Sequence, residues 1–262
     1  MGILRLQRCV AWALTLSSLL LQPLGAAAGL PDLRIMPLGD SITKGNLSPQ
    51  MNGYRQPLRQ SLLSEQMGTN ATTDMIGSLQ DGSMQDNDHE GHSGKYLADI
   101  REYLELSLPA KPNVVCVHAG SNNMDLEVDL DIADSLIESI IDRLFDGSPG
   151  VTVLVAPVIW ANDTRMQANT DVFNDKLAVI IDRKQGGGEH ILSVPIDITL
   201  GDLADKKHPN EEGYRKMAVA WYNAIVDAHG RGWIRAPAKV NADDLPGMGL
   251  GYRDTAAESN GE

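Results

Sequence analysis

The chain has 262 residues, 42% of them hydrophobic, and a formal net charge of −13 at pH 7. That length allows a sizeable buried core. So acidic a surface argues against nucleic acid and anionic membranes as partners, and it does not by itself select a substrate.

The chain opens with Arg5 and Arg8, an apolar run from Val10 to Leu21, and a small-residue cleavage site at Ala26-Ala27-Ala28. The run is short for a membrane span. Residues 1–28 are therefore expected to be a secretory signal cut after Ala28, and losing both arginines makes the mature chain two charges more acidic. On this reading the mature protein is soluble and extracellular. Cys9 leaves with the signal, so Cys116 has no intramolecular partner, and its apolar surroundings read as an inert core thiol. Asn46, Asn70 and Asn162 each open an Asn-x-Ser/Thr triplet and are the candidate glycosylation sites.

Beyond the signal, apolar runs alternate with helical patterns. Strands are expected at Leu33–Leu38, Thr72–Ile76, Asn113–His118, Val151–Ala156 and Ile191–Val194. The runs at 114–117 and 151–155 are almost continuously apolar, as in strands covered on both faces. Helices are expected at Tyr54–Gln66, Leu97–Leu106, Ile132–Leu144, Val172–Ile181 and Glu211–Ala228, each with apolar residues three and four apart. Gly77 to Gly94 reads as a long loop of the kind that carries function, and Gly186-Gly187-Gly188 as a turn. Residues 236–262 read as a polar tail. This pattern implies one α/β domain over 29–235, a three-layer α/β/α sandwich around a five-stranded parallel sheet in the flavodoxin-like order 2-1-3-4-5.

Three distant segments carry the chemistry. Ser41 follows the first expected strand in Gly39-Asp40-Ser41, Asn122 follows the third, and His208 stands three residues after Asp205. Taken singly, each has a plain reading as a turn serine, a turn asparagine or a surface Asp–His pair. Together they supply a nucleophile, a base, a carboxylate to orient it and an amide donor. A helical turn joining Asp205 to His208 would bring both side chains to one face. The backbone N–H groups of Ser41 and Gly94 are the candidate partners of the Asn122 amide in an oxyanion hole. In the 2-1-3-4-5 order, strands one and three flank the switch point where ligands bind.

The segments Ile35–Gly45, Glu90-Gly91-His92-Ser93-Gly94, Val117–Asn122 and Asp205–Asn210 together resemble the SGNH or GDSL hydrolase superfamily. The resemblance is strongest to the secreted acetylxylan-esterase-like proteins of carbohydrate esterase family three. It implies Ser41 as nucleophile, His208 as base, Asp205 as its orienting carboxylate, and Gly94 and Asn122 as oxyanion donors, with Gly91 as the alternative to Gly94. It implies no metal and no organic cofactor. One departure is Asn123, where the family usually carries Asp; activity is expected to survive it. The function so implied is removal of short acyl groups, acetyl first, from a polysaccharide such as xylan. The sequence carries no clear oligomer signal, and a monomer is expected. Trp160 and Tyr54 are the candidates for stacking on a sugar ring, set against ordinary core packing. A lipase or broad arylesterase with the same triad, and a binding protein that has lost catalysis, are the alternatives.

Overall fold

The computed structural model describes residues 29–240. The expected signal segment with Cys9, and residues 241–262 of the expected tail, lie outside the described residues. Leu33–Gly39 forms β1, buried along nearly all its length. Thr73–Met75 forms β2, Val114–His118 β5, Thr152–Val155 β6 and Ile191–Ser193 β7. These five are parallel and lie side by side in the order β2-β1-β5-β6-β7.

Among the described residues the sheet has seven strands rather than the five expected. The extra two, β3 (Leu79–Gln80) and β4 (Asp88–Gly91), come from the stretch read as a loop. β4 continues the sheet beside the carboxyl end of β1, pairing Leu38 with Glu90 and Gly39 with Gly91, while β2 pairs with the amino end. β3 lies antiparallel to β4. The sequence Asp88-His89-Glu90-Gly91 carries no apolar signal, yet it is buried throughout. The Glu90 carboxylate shows how its polar groups are satisfied: it accepts from Ser78 N–H and Oγ at 2.9 and 2.7 Å, and from Ser107 Oγ, and lies 2.5 Å from His92 Nε2.

Period-two alternation along the strands fills two cores. Met36, Leu38, Val115, Val117, Val153 and Val155 pack on one face of the sheet against α3 (Leu97–Ser107), α5 (Ala133–Gly147) and α6 (Thr164–Gly186). Ile35, Val114, Cys116 and Leu154 pack on the other face against α2 (Arg55–Glu65) and α7 (Glu211–Gly230). Burial raises the Cys116 thiol well above its ordinary range, as befits an unreactive core residue. α6 begins eight residues before the expected start, because its first turns are polar; only Met166 and Thr170 are buried there, and Asp163 caps the end by accepting from Arg165 and Met166 N–H. Two short helices, Ser41–Lys44 (α1) and Ser121–Leu126 (α4), follow β1 and β5 at the carboxyl end of the sheet. No helix among the described residues is long and apolar enough to cross a membrane.

Candidate active site

Ser41 is the first residue of α1, directly after β1. Gly39 lets β1 and β5 close tightly beneath it: a Cβ there would stand 1.9 Å from the His118 carbonyl oxygen and 2.5 Å from Thr43 Oγ1. Asp40 caps the turn, its Oδ1 accepting from Ile42 N–H at 3.0 Å. In that first turn the Ser41 N–H is one of the donors a helix leaves without an internal acceptor.

The segment carrying Asp205 and His208 is not helical. Residues 203–209 form a narrow hairpin, closed by a bridge between Leu203 and Pro209 and by Ala204 N–H donating to His208 O at 2.8 Å. Asp205 holds the tip, its Oδ1 accepting the backbone N–H groups of Lys207 and His208 at 2.9 and 2.7 Å. Its other oxygen lies 2.7 Å from His208 Nδ1, and His208 Nε2 lies 2.8 Å from Ser41 Oγ. Because a carboxylate only accepts, Nδ1 carries the proton, and Nε2 is left to accept from the serine hydroxyl. Burial pushes the Asp205 carboxyl up, but the two backbone N–H bonds and the imidazole outweigh it and hold the group below the usual carboxylate range.

Asn122 sits in the first turn of α4, after β5, and is buried. Its Nδ2 donates to Lys95 O at 2.9 Å, leaving the second amide hydrogen for the pocket. Lys207 Nζ donates to its Oδ1 at 2.9 Å and to Asp125 Oδ2 at 2.8 Å. Gly94 is exposed at φ +75°, with nothing within 4 Å of where a Cβ would stand. The N–H of Gly91 is spent on His89 Nδ1 at 3.0 Å, so Gly94 is the better placed of the two. His89 can accept because burial, then the Arg55, Lys44 and His92 charges, lower its pKa to about 2 and keep the ring neutral.

The two stacking candidates part company. Tyr54 is fully buried, its ring 5.8 Å from that of Trp221 in the core, so it faces no substrate: stacking fails for Tyr54 and the core-packing reading set against it holds, since an aromatic near a helix start does not reveal which face it will occupy. Trp160 is half-buried and lines a cleft of about 420 Å³ with Asn162, Gln167 and Asp171. That cleft adjoins the triad segment, since Asn162 N–H donates to Lys206 O at 2.8 Å. Of the sequon asparagines, Asn70 and Asn162 are exposed; Asn46 is half-buried and accepts from Ser93 Oγ at 3.2 Å.

Lys207, Asp125 and the contacts of Asn123 were not singled out in the sequence. Asn123 is fully buried, accepting Leu97 N–H and donating to Val128 O, each at 3.0 Å.

Comparison with known proteins places the chain in a family. Residues 38–216 match the model of the GDSL-like lipase/acylhydrolase family. A multidomain esterase of Ruminococcus flavefaciens is 26% identical over 249 residues, which cover 81% of this chain but only 31% of that longer protein. Among solved structures, a family 3 carbohydrate esterase of Clostridium thermocellum is 28% identical with a TM-score of 0.65, covering 76% of this chain and 98% of that one. The acetylxylan esterase Axe2 of Geobacillus stearothermophilus shares the fold at 18% identity and a TM-score of 0.57, over 79% of this chain and 99% of its own. The matched stretch runs from the end of β1 into α7 and so takes in every segment of the site: the chain belongs to the GDSL-like lipase/acylhydrolase family of carboxylic ester hydrolases.

Proposed function

We propose that the chain is an exported serine esterase that removes acetyl or similarly short acyl groups from a polysaccharide of the xylan type. The observation that carries this reading is the unbroken relay from Ser41 Oγ through His208 to Asp205, with contacts of 2.8 and 2.7 Å. Ser41 attacks the ester carbonyl as His208 takes its proton, and Asp205 stabilises the imidazolium that results. The tetrahedral oxyanion is received by the N–H groups of Ser41 and Gly94 and the Asn122 amide. The alcohol leaves with the proton from His208, and water then releases the acyl group by the same route.

The exposed Gly94 loop and the Trp160 cleft beside the triad suit a polymer lying across the mouth with only its acyl group inside. The solved relatives that are carbohydrate esterases support the same substrate class. Export and cleavage after Ala28 belong to the proposal and are checked by N-terminal sequencing of the secreted product; a product that begins at Met1 refutes them.

The direct test is acetate release from acetylated xylan, chitin oligomers and simple acetyl esters. Ser41→Ala is expected to lose on the order of 10⁶-fold in kcat with the fold intact, and His208→Ala about as much, because triad members act as a unit. Ser41→Ala that still releases acetate removes the serine from this role, and faster turnover of long-chain than acetyl esters favours the lipase alternative.

A further inference from the structure

Lys207 touches both halves of the site. Its backbone N–H donates to Asp205 Oδ1 at 2.9 Å, on the relay side, and its ammonium donates to Asn122 Oδ1 at 2.9 Å, on the oxyanion side. The side chain is only 12% exposed and Asp125 only 6%, so the contact is a sheltered one. Asp125 stands three residues after Asn122 on α4, which puts both side chains on one face of that helix. It holds Lys207 from below at 2.8 Å and also pairs with Lys206. Burial raises the Asp125 carboxyl, but the bonds from Lys206 and Lys207 outweigh that and keep it below its ordinary range.

An asparagine amide can face either way, and only one orientation offers a donor to an oxyanion. With an ammonium against its oxygen, the Asn122 amide has a single stable orientation; the flipped form would press an NH₂ group against NH₃⁺. The nitrogen is thereby directed to Lys95 O and into the pocket. A cation on the carbonyl oxygen also draws charge from the nitrogen, which makes its remaining N–H a stronger donor as negative charge develops on the substrate. We propose that Lys207 is a positioning residue whose ammonium, anchored by Asp125, orients and polarises the Asn122 amide for the transition state. The inference rests on the esterase reading given above.

Its test compares wild type with Lys207→Met, Lys207→Gln and Lys207→Arg. Two rates are measured: turnover of p-nitrophenyl acetate, and covalent inactivation by a p-nitrophenyl alkylphosphonate. In the second reaction Ser41 Oγ bonds to phosphorus as its proton passes to His208 Nε2, the P–O bond to p-nitrophenolate breaks and that group leaves, and the phosphoryl oxygen occupies the oxyanion position. Lys207→Met is expected to lose about 10–100-fold in kcat, less than removal of a donor itself, with a parallel loss in phosphonylation rate. KM should stay within about twofold, the mark of an interaction made in the transition state. Lys207→Arg should recover most of the loss.

A purely structural lysine would lower the melting temperature and leave the folded fraction turning over normally. If Lys207→Met keeps both rates within about twofold of wild type, the inference is overturned. Should the Met variant fail to fold, Lys207→Gln decides in its place: it keeps a donor and removes the charge, so wild-type rates in it end the case for the ammonium. A wild-type chain that neither hydrolyses the acetate nor is phosphonylated at Ser41 sinks the esterase reading and this inference together, whereas an active wild type beside an equally active Lys207→Met sinks this one alone.

Discussion

Asn123 reaches Leu97 across the top of the sheet: its Oδ1 accepts the Leu97 N–H, and its Nδ2 donates to Val128 O. This fastens the start of α3, and with it the loop that carries Gly94, to the helix that carries Asn122. An Asp at this position, the residue the family usually shows, could accept from Leu97 but could give nothing to Val128 O. In this chain Asn123→Asp is therefore expected to destabilise by about 1 kcal/mol, from one half-buried carbonyl left without its donor and a carboxylate turned toward it. Urea denaturation measures that loss. Ester turnover should persist, because Asn122 is untouched. Equal stability in both proteins would show that the amide donor contributes nothing.

Arg55 performs a similar task with a full charge and no ion-paired carboxylate among the described residues. Buried completely, it donates to four backbone carbonyls, those of Lys44, Met51, Asp81 and Asn87, at 2.8 to 2.9 Å. These belong to the end of α1, the loop that follows it and the loop before β4, so one guanidinium ties the nucleophile's surroundings to the inserted strands. Arg55→Met keeps the volume and strips every donor. It should cost at least about 3 kcal/mol, since several carbonyls lose their partner at once. Arg55→Lys should recover only part of this, because a compact ammonium cannot reproduce the guanidinium fork. Melting temperatures of the three proteins, read against each other, check both statements.

How far the sequence could be read followed how local each signal was. Strands β1, β5 and β6 are buried on both faces, so continuous apolar runs betray them. β4 is equally buried but built from Asp, His and Glu whose partners lie elsewhere in the chain, and no pattern within it says so. Ser41, Asp205 and His208 were recognisable because the chemistry restricts residue type as well as spacing. The route to that geometry was less legible: three-residue spacing suggested a helical turn, whereas the segment is a hairpin whose tip is held by Asp205 itself. Lys207 reads in sequence as a solvated charge. Only the fold brings it to Asn122, 85 positions away.

Trp160 and Tyr54 should separate cleanly. Trp160→Ala leaves the core untouched and removes the aromatic surface of the cleft that adjoins the hairpin carrying His208. It is expected to raise KM on acetylated xylan by about 10-fold, the cost of one lost stacking contact, and to leave p-nitrophenyl acetate kinetics unchanged. Tyr54→Ala should instead lose about 3–5 kcal/mol of stability, as for other large-to-small core changes. Equal KM values for wild type and Trp160→Ala on the polymer would remove Trp160 from substrate binding.

Asp74 gives the fold a pH dependence of definite sign. It lies on β2 beside Asp86, whose Oδ2 already takes Arg59 Nε at 2.7 Å, while Arg34 Nε stands 3.9 Å from Asp74 and Arg34 Nη1 donates to the Ala110 and Ala238 carbonyls. Burial, then the Asp86 charge, raise the Asp74 carboxyl from 3.8 to about 7. Between those values the folded chain keeps a proton that the unfolded chain has released, so this group's contribution to stability is fully present below pH 3.8 and falls as pH rises toward about 7. Asp74→Asn removes the penalty by mimicking the protonated form. Its melting temperature should exceed that of wild type by a few degrees at pH 8 and by little at pH 4. A variant less stable than wild type at pH 8 would mean that the ionised carboxylate is being held by Arg34 after all, and that the attraction across 3.9 Å outweighs burial.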